Sequence, residues 1–284
     1  GISKHLLPVY DKPMIYYPLS TLMLGGIKEI AIISTPEDLP RYRELLGSGS
    51  NLGLNLTYFE QKKPRGLAEA FIICEKFISN DNVTLILGDN IFHGNLRISD
   101  LIGNFSSGCK IFGYSVNNPR RYGVLDLSEN GELIDIIEKP RNPPTNLAVP
   151  GLYIYDNKVV SFSKKLNPSA RGELEITDLN KMYLKIEEIS VQIIGRGVAW
   201  FDVGKSNSLH KAGNFIESIE NSQRHKIGCI EEISFRKGFI SSSGFENLIK
   251  GIPQCEYKEY LRDILKESKI WGSADKNKLK NLQP

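Results

Sequence analysis

The run Val83-Thr84-Leu85-Ile86-Leu87-Gly88-Asp89-Asn90 decides the fold. Its first five residues read as a buried strand. Gly88 lets the backbone turn or come close to a ligand. Asp89 then sets a carboxylate at the carboxyl end of an expected parallel strand, where open α/β sheets bind ligands. A carboxylate there suits Mg2+ on a nucleotide phosphate, because Mg2+ prefers hard oxygen ligands and takes only one or two from protein. The other reading is an Asp that caps the next helix or closes an Asx-turn. Four residues do not choose between the two.

Upstream of this run, strand and helix patterns alternate. Ile30 to Ser34 is β-rich, and Pro36 to Leu46 has helical spacing with proline near its start. Leu54 to Phe59 is the next strand, and Gly66 to Ile78 is amphipathic along Leu67, Ala70, Phe71, Cys74 and Phe77. Such alternation predicts parallel crossovers and a doubly wound sheet. Downstream the chain is strand-rich, over Lys110 to Val116, Gly123 to Leu127, Leu133 to Glu138 and Leu152 to Tyr155. Asn130-Gly131 between two of these predicts a tight hairpin. Helical patterns dominate after Lys205, in Ser208 to Ile219 and Tyr257 to Lys266, and the polar stretch Lys269 to Pro284 is expected to fray. The expectation is an α/β domain over residues 1–228 and a helical C-terminal appendage over 229–284.

Composition narrows the function. Of 284 residues 40% are hydrophobic and 24% charged, so a sizeable core is available. The net charge of +3 is spread out, without a run of like charges, which argues against nucleic acid as a partner. The four cysteines stand apart with no C-x-x-C spacing, arguing against a zinc site or disulfide framework. No apolar stretch approaches a membrane span and no signal-peptide pattern opens the sequence, so a reducing cytoplasm is expected.

Several short stretches carry charge at element ends. Lys4 and Lys12 lie on a segment leading into a helix, and a lysine suits phosphate or simply faces water. Glu60 to Ala70 joins a strand end to a helix start. There Gly66 would let the backbone approach a base or sugar and the helix N-terminus would favour an anion, or the stretch is a loop with a charged tip. Glu138-Lys139-Pro140 ends another strand. The proline is expected to hold Lys139 extended, and neighbouring strand residues share a site only if the strand end bends. Asp202, in Trp200-Phe201-Asp202-Val203-Gly204, is a second strand-end carboxylate or a cap. Arg171 to Asp178 reads as an acid-rich helix start.

Taken in order, the strings Ile2 to Pro18, Leu87-Gly88-Asp89-Asn90, Arg121-Tyr122-Gly123-Val124, Glu138-Lys139-Pro140, Gly172 to Asp178, Gly195-Arg196-Gly197 and Ala199-Trp200 resemble the bacterial glucose-1-phosphate thymidylyltransferases. The resemblance runs from Gly1 to about Tyr260. It implies the nucleotidyltransferase variant of the Rossmann-like, doubly wound mixed sheet. The implied reaction joins dTTP and α-D-glucose 1-phosphate into dTDP-glucose and pyrophosphate with Mg2+, feeding dTDP-rhamnose and cell-surface polysaccharide. By position, the resemblance assigns Lys4 to the nucleotide phosphates, Gln61 and Gly66 to the thymine, and Asp89 and Asp202 to the metal. It assigns Tyr122, Gly123, Glu138, Lys139, Val149 and Tyr153 to the sugar-phosphate pocket, with Lys139 on the phosphate. It also implies a homotetramer with a regulatory nucleotide-sugar site between subunits. A relative using UTP, which differs from dTTP by one methyl group, is an alternative, as is a non-catalytic sugar-nucleotide-binding subunit.

The sequence departs from the family pattern in two ways. His5 stands where Gln is usual, and Phe201-Asp202-Val203-Gly204 where Leu-Asp-Thr-Gly is usual. The family's opening strand and its Gly-Gly-x-Gly-Thr-Arg-Leu phosphate loop precede the point at which this sequence starts. That strand is central, so the sequence as it stands is expected to be weakly stable or inactive, and a form extended by about 20 residues stable and active.

Overall fold

The computed structural model describes residues 3–271. Most of the stretch expected to fray lies outside the described residues. A 3₁₀ turn over Lys4–Leu6 leads into a hairpin of β1 (Pro8–Val9) and β2 (Lys12–Pro13), then α1 (Tyr16–Leu24). Next come β3 (Glu29–Ser34), α2 (Leu39–Leu46), β4 (Asn55–Glu60), α3 (Glu69–Ile73), α4 (Glu75–Ile78), β5 (Val83–Ile86) and β6 (Asn90–His93). The middle holds α5 (Ile98–Gly103), β7 (Cys109–Ser115), β8 (Gly123–Leu127), β9 (Leu133–Glu138), β10 (Leu147–Ala148) and β11 (Leu152–Tyr155). The remainder is α6 (Lys158–Lys165), α7 (Ile176–Lys185), β12 (Ile189–Ile193), β13 (Ala199–Asp202), α8 (Ser206–Gln223), α9 (Ile230–Arg236), α10 (Ser242–Gly251) and α11 (Glu256–Trp271).

A seven-stranded mixed sheet is the frame. Its order is β5-β11-β7-β10-β8-β9, and β12 lies parallel along β7. Strand alternation sorts its side chains into two cores. From β11, Tyr153 and Tyr155 join Cys109 and Ile111 of β7 beneath α6 and α7, while Leu152 and Ile154 join Phe112 on the α5 face. β3 and β4 form a separate parallel pair covered by α1 and α2. β6 and β13 form an antiparallel ribbon with Asp202 opposite Asn90. Among the described residues no helix is long and apolar enough to cross a membrane.

The structure corrects several expectations. The helix expected from Gly66 to Ile78 is two short ones, broken at Cys74, whose φ of −94° and ψ of 13° leave the helical region. β5 pairs only with β11 among the described residues, and antiparallel. Asp89 therefore follows a strand with no described parallel neighbour. Neither β3 nor β5 has a described partner on its other edge, and an opening of about 820 Å³ lies between them, lined by Ala31, Ile33, Phe71, Val83 and Leu85 among others. β5 is accordingly half-buried, not buried. Sequence periodicity missed α1, because Tyr17 to Met23 are buried all round and leave no polar face to mark a helix.

After Gly228 come α9, α10 and α11. They share a core of Cys229, Phe245, Ile249 and Leu261, and α9 also buries Ile230 and Ile233 against the α1 and β3–β4 layer.

Candidate active site

Asp89 sits at the turn between β5 and β6. Its Oδ2 accepts from Lys4 Nζ at 2.5 Å and its Oδ1 from Asn90 Nδ2 at 3.0 Å. It caps no helix. Burial pushes the carboxyl up, but the Lys4 ammonium, His5 and the Asn90 amide outweigh it and hold the group below its ordinary 3.8. The Asp89 carbonyl accepts from Val203 N at 2.8 Å, which brings the Asp202 loop alongside. Asp202 Oδ1 accepts from Gly204 N at 3.2 Å, so this residue does close an Asx-type turn.

The two carboxylates converge on one glycine. A Cβ on Gly204 would lie 3.1 Å from Asp202 Oδ1 and 3.8 Å from Asp89 Oδ2. These are hard oxygen donors around a space that a side chain would fill. Among the described residues no three His, Cys, Asp or Glu groups cluster as a metal cage. Two carboxylates with room left for phosphate oxygens and water fit Mg2+ better than a softer ion.

The residues expected to meet the sugar phosphate come from neighbouring sheet strands and the turns that follow them. Gly123 is opposite Glu138 in the β8–β9 ladder, Lys139 N donates to Tyr122 O at 2.9 Å, and Val149 N donates to Gly123 O at 2.8 Å. Thr177 Oγ1, at the start of α7, donates to Glu138 Oε2 at 2.6 Å. A Cβ on Gly123 would stand 3.4 Å from that hydroxyl and 3.5 Å from Glu138 Oε2, so a larger residue would crowd the pair.

Lys139 is not extended as expected. Its φ is +44°, a left-handed conformation uncommon for a residue with a side chain. The strand end thereby bends, and Lys139 Nζ comes within 3.2 Å of Glu138 Oε1. The bend is what lets adjacent strand residues share a site. Arg171 stands 3.9 Å from Glu138 Oε1 while binding Glu175 through two nitrogens. Val149 and Tyr153 are buried in the core cluster beneath this pocket. Burial, and after it the Asp202 carboxylate, raise the Tyr122 hydroxyl above its ordinary pKa.

Gln61 and Gly66 contact each other and a distant segment. Gln61 Nε2 donates to Gly66 O at 3.3 Å and to Glu69 Oε2 at 2.8 Å. Gly66 has φ +99°, and a Cβ there would strike Leu174 O at 2.4 Å. Glycine here permits a close backbone approach to Leu174 of the same chain. Leu174 N donates to Arg65 O at 2.7 Å and Ala68 N to Leu174 O at 3.2 Å, stitching the loop to the stretch before α7. The helix expected to start at Gly66 begins at Glu69 and runs five residues.

Comparison with known proteins now has a geometry to meet. The nucleotidyl transferase family model matches residues 1–219. A Neisseria meningitidis glucose-1-phosphate thymidylyltransferase is 51% identical over 269 residues, covering 94% of this chain and 93% of that protein. The chain belongs to the glucose-1-phosphate thymidylyltransferases. The Mycolicibacterium smegmatis glucose-1-phosphate thymidylyltransferase is 47% identical over 266 residues, 93% of this chain and 92% of its own length. A Bacillus anthracis structure assigned to the same enzyme, solved with sucrose, superposes with TM-score 0.70 at 41% identity over 75% of this chain and 86% of that one. A UDP-glucose pyrophosphorylase solved with UDP-glucose superposes at 0.65 and 25% identity over 76% of this chain and 90% of that one. As a glucose-1-phosphate thymidylyltransferase the chain is a nucleotidyltransferase enzyme.

Three residues of this family member's site received no role from sequence. Asn90 is 3% exposed, and its Oδ1 accepts from Gly151 N at 2.9 Å and Trp200 Nε1 at 2.7 Å. It binds the Asp89 turn, the approach to β11 and the Asp202 ribbon into one piece. Trp200 packs its ring 5.1 Å from that of Tyr122. Thr177 orients Glu138. Asn90 stands beside Asp89 in the most informative run, so adjacency was its only signal.

Proposed function

We propose that the chain joins dTTP and α-D-glucose 1-phosphate to give dTDP-glucose and pyrophosphate, with Mg2+ held by Asp89 and Asp202. The observation that carries the reading is the convergence of those two carboxylates on Gly204, with Lys4 on Asp89. The sugar-phosphate oxygen attacks the α-phosphorus in line. A new P–O bond forms, the bond to the β-phosphate bridging oxygen breaks, and pyrophosphate leaves with the electron pair. Bound Mg2+ would supply charge neutralisation at the phosphates.

The protein's share is positioning and electrostatics. Lys4 meets the nucleotide phosphates and Lys139 the sugar phosphate, so two anions are held close despite their repulsion. Glu138, oriented by Thr177, accepts from sugar hydroxyls, with Gly123 leaving them room. Val149 and Tyr153 floor that pocket and Tyr122 borders it. Gln61 and the backbone at Gly66 read the base. Residues 1–228 carry this chemistry and 229–284 form the appendage. The reading extends to a cytoplasmic homotetramer supplying dTDP-rhamnose for cell-surface polysaccharide.

The test is pyrophosphate release by the full-length protein with four nucleoside triphosphates against several sugar 1-phosphates, with and without Mg2+. The expected result is turnover with dTTP and glucose 1-phosphate that stops on chelation. A preference for UTP would replace the nucleotide assignment, because one methyl contact discriminates by only about 1–3 kcal/mol. Binding without turnover for every pair would favour a non-catalytic subunit.

A further inference from the structure

The turn that carries Lys4 is too small to hold itself. Lys4–Leu6 is a single 3₁₀ turn that buries none of its residues. Short 3₁₀ turns have poor hydrogen-bond geometry and depend on their surroundings. Lys4 is nevertheless held against Asp89 at 2.5 Å.

Its anchor lies in α2. Tyr42 of α2 is 2% exposed and belongs to the core of the β3–β4 layer. Its hydroxyl lies 2.9 Å from Ser3 Oγ and 3.1 Å from His5 Nδ1, the residues on either side of Lys4. The His5 ring in turn covers Gly88, where a Cβ would stand 3.0 Å from His5 Cδ2. His5 O accepts from Ile15 N at 2.9 Å, tying the turn to the start of α1. One phenol thus grips both neighbours of Lys4 from the β3–β4 layer, while Lys4 and His5 reach the β5–β6 turn on the other side.

We infer that Tyr42 is a positioning residue, whose hydroxyl acts through Ser3 and His5 to set Lys4 against Asp89 and so governs how the nucleotide phosphates are met. The inference rests on the proposed role of Lys4. Tyr42 itself touches no substrate; it removes the freedom of a turn that would otherwise wander when Asp89 exchanges Lys4 for an incoming phosphate. Loss of the hydroxyl should therefore weaken use of dTTP and leave use of glucose 1-phosphate alone.

The experiment compares Tyr42→Phe, Lys4→Ala and the double variant, with Tyr58→Phe as a control. The Tyr58 hydroxyl donates to Gly47 O at 2.6 Å and, at 3.4 Å, to the Tyr42 carbonyl, so this variant loosens the same stretch of α2 without removing the hydroxyl that meets Ser3 and His5. Thermal unfolding and the KM for each substrate are measured beside the unsubstituted protein. Tyr42→Phe is expected to raise the dTTP KM about two- to tenfold, the worth of one or two neutral hydrogen bonds, and to keep the sugar-phosphate KM within about twofold. Tyr58→Phe should leave both constants unchanged. In the Lys4→Ala background Tyr42→Phe should add nothing, since a missing side chain cannot be mispositioned. Equal rises in both constants, or a full added effect without Lys4, would overturn the inference and make the hydroxyl merely structural. If Lys4→Ala itself leaves dTTP use unchanged, the nucleotide role of Lys4 fails and this inference with it. If Lys4→Ala impairs dTTP use and Tyr42→Phe does not, only the role of Tyr42 falls.

Discussion

The two sides of the cleft are built differently. The proposed sugar side is written into one sheet: Gly123 at the start of β8 pairs with Glu138 at the end of β9, and Lys139 N donates to Tyr122 O just beyond. The nucleotide side is assembled from three unconnected pieces, the Lys4 turn, the Gln61–Gly66 loop and the Asp89 turn. An ion pair joins the first to the third, and two backbone hydrogen bonds stitch the loop to Leu174. A ladder shares load among many hydrogen bonds, whereas a stitched loop depends on each stitch. Substitutions on the nucleotide side should therefore travel further than those on the sugar side.

The largest expected effect is on the carboxylates. Asp89→Asn and Asp202→Asn should each cut turnover about 10²–10³-fold, near 2.7–4 kcal/mol of transition-state stabilisation, with little change in thermal unfolding. Asparagine at 202 keeps an oxygen for Gly204 N, so the turn should survive and only the charge be lost. Near-normal turnover at saturating Mg2+ in either variant would reduce that residue to a turn-former.

Gly66→Ala comes next and probes a stitch. A Cβ at a φ of +99° and 2.4 Å from Leu174 O requires the loop to shift. We expect a loss of about 1–3 kcal/mol in stability and weaker dTTP binding, with glucose 1-phosphate binding kept. Calorimetric titration of each substrate decides it, and unchanged dTTP affinity would detach the loop from the nucleotide.

Lys139→Ala tests the other side. Removing one charge-assisted contact to phosphate should weaken glucose 1-phosphate binding by about 10- to 150-fold, the equivalent of roughly 1.5–3 kcal/mol, and leave dTTP binding intact because the ladder persists. Equal weakening of both substrates would mean that the two sides are not independent.

The smallest expected effect is on stability against pH. Burial lowers the His5 and His93 imidazoles below their ordinary 6.5, against the opposing pull of Asp89 on the first and Glu220 on the second. A folded pKa below the unfolded one means that the unfolded chain takes up protons first. The contribution is therefore present above pH 6.5 and lost as pH falls through 6.5 toward the folded values. Thermal unfolding should fall from about pH 7.5 to about pH 5.5, and His93→Gln should flatten that slope. A flat profile for the unsubstituted protein would show both histidines to be matched in the two states.

Much of this was legible in sequence because it is local. Three strands lie where alternation and turn residues put them, Gly123–Leu127, Leu133–Glu138 and Leu152–Tyr155. Asp89 and Asp202 sit at strand ends as their motifs indicated. Asp202, read as a second strand-end carboxylate or a cap, ends β13 and closes a turn on Gly204 N, while Lys205 stands at the N-cap of α8. What escaped was non-local. Proline after Lys139 argued for an extended residue, but the register that ties Lys139 N to Tyr122 O pulls it to positive φ. Gly66 permits a close backbone approach, and Leu174, more than a hundred residues on, makes one.

By itself the sequence determined the alternation of elements, the strand-end carboxylates and lysines, and through its motif strings the family, because propensity, period and motif are written within a few residues. The tertiary structure alone decided which of those charges meet. Lys4 reaches Asp89, Asp89 and Asp202 share the space at Gly204, Thr177 turns Glu138, and Tyr42 holds the Lys4 turn from another layer. Each of these contacts joins residues at least 35 positions apart, and only the packing of sheets, with the register it imposes, brings such residues within hydrogen-bond reach.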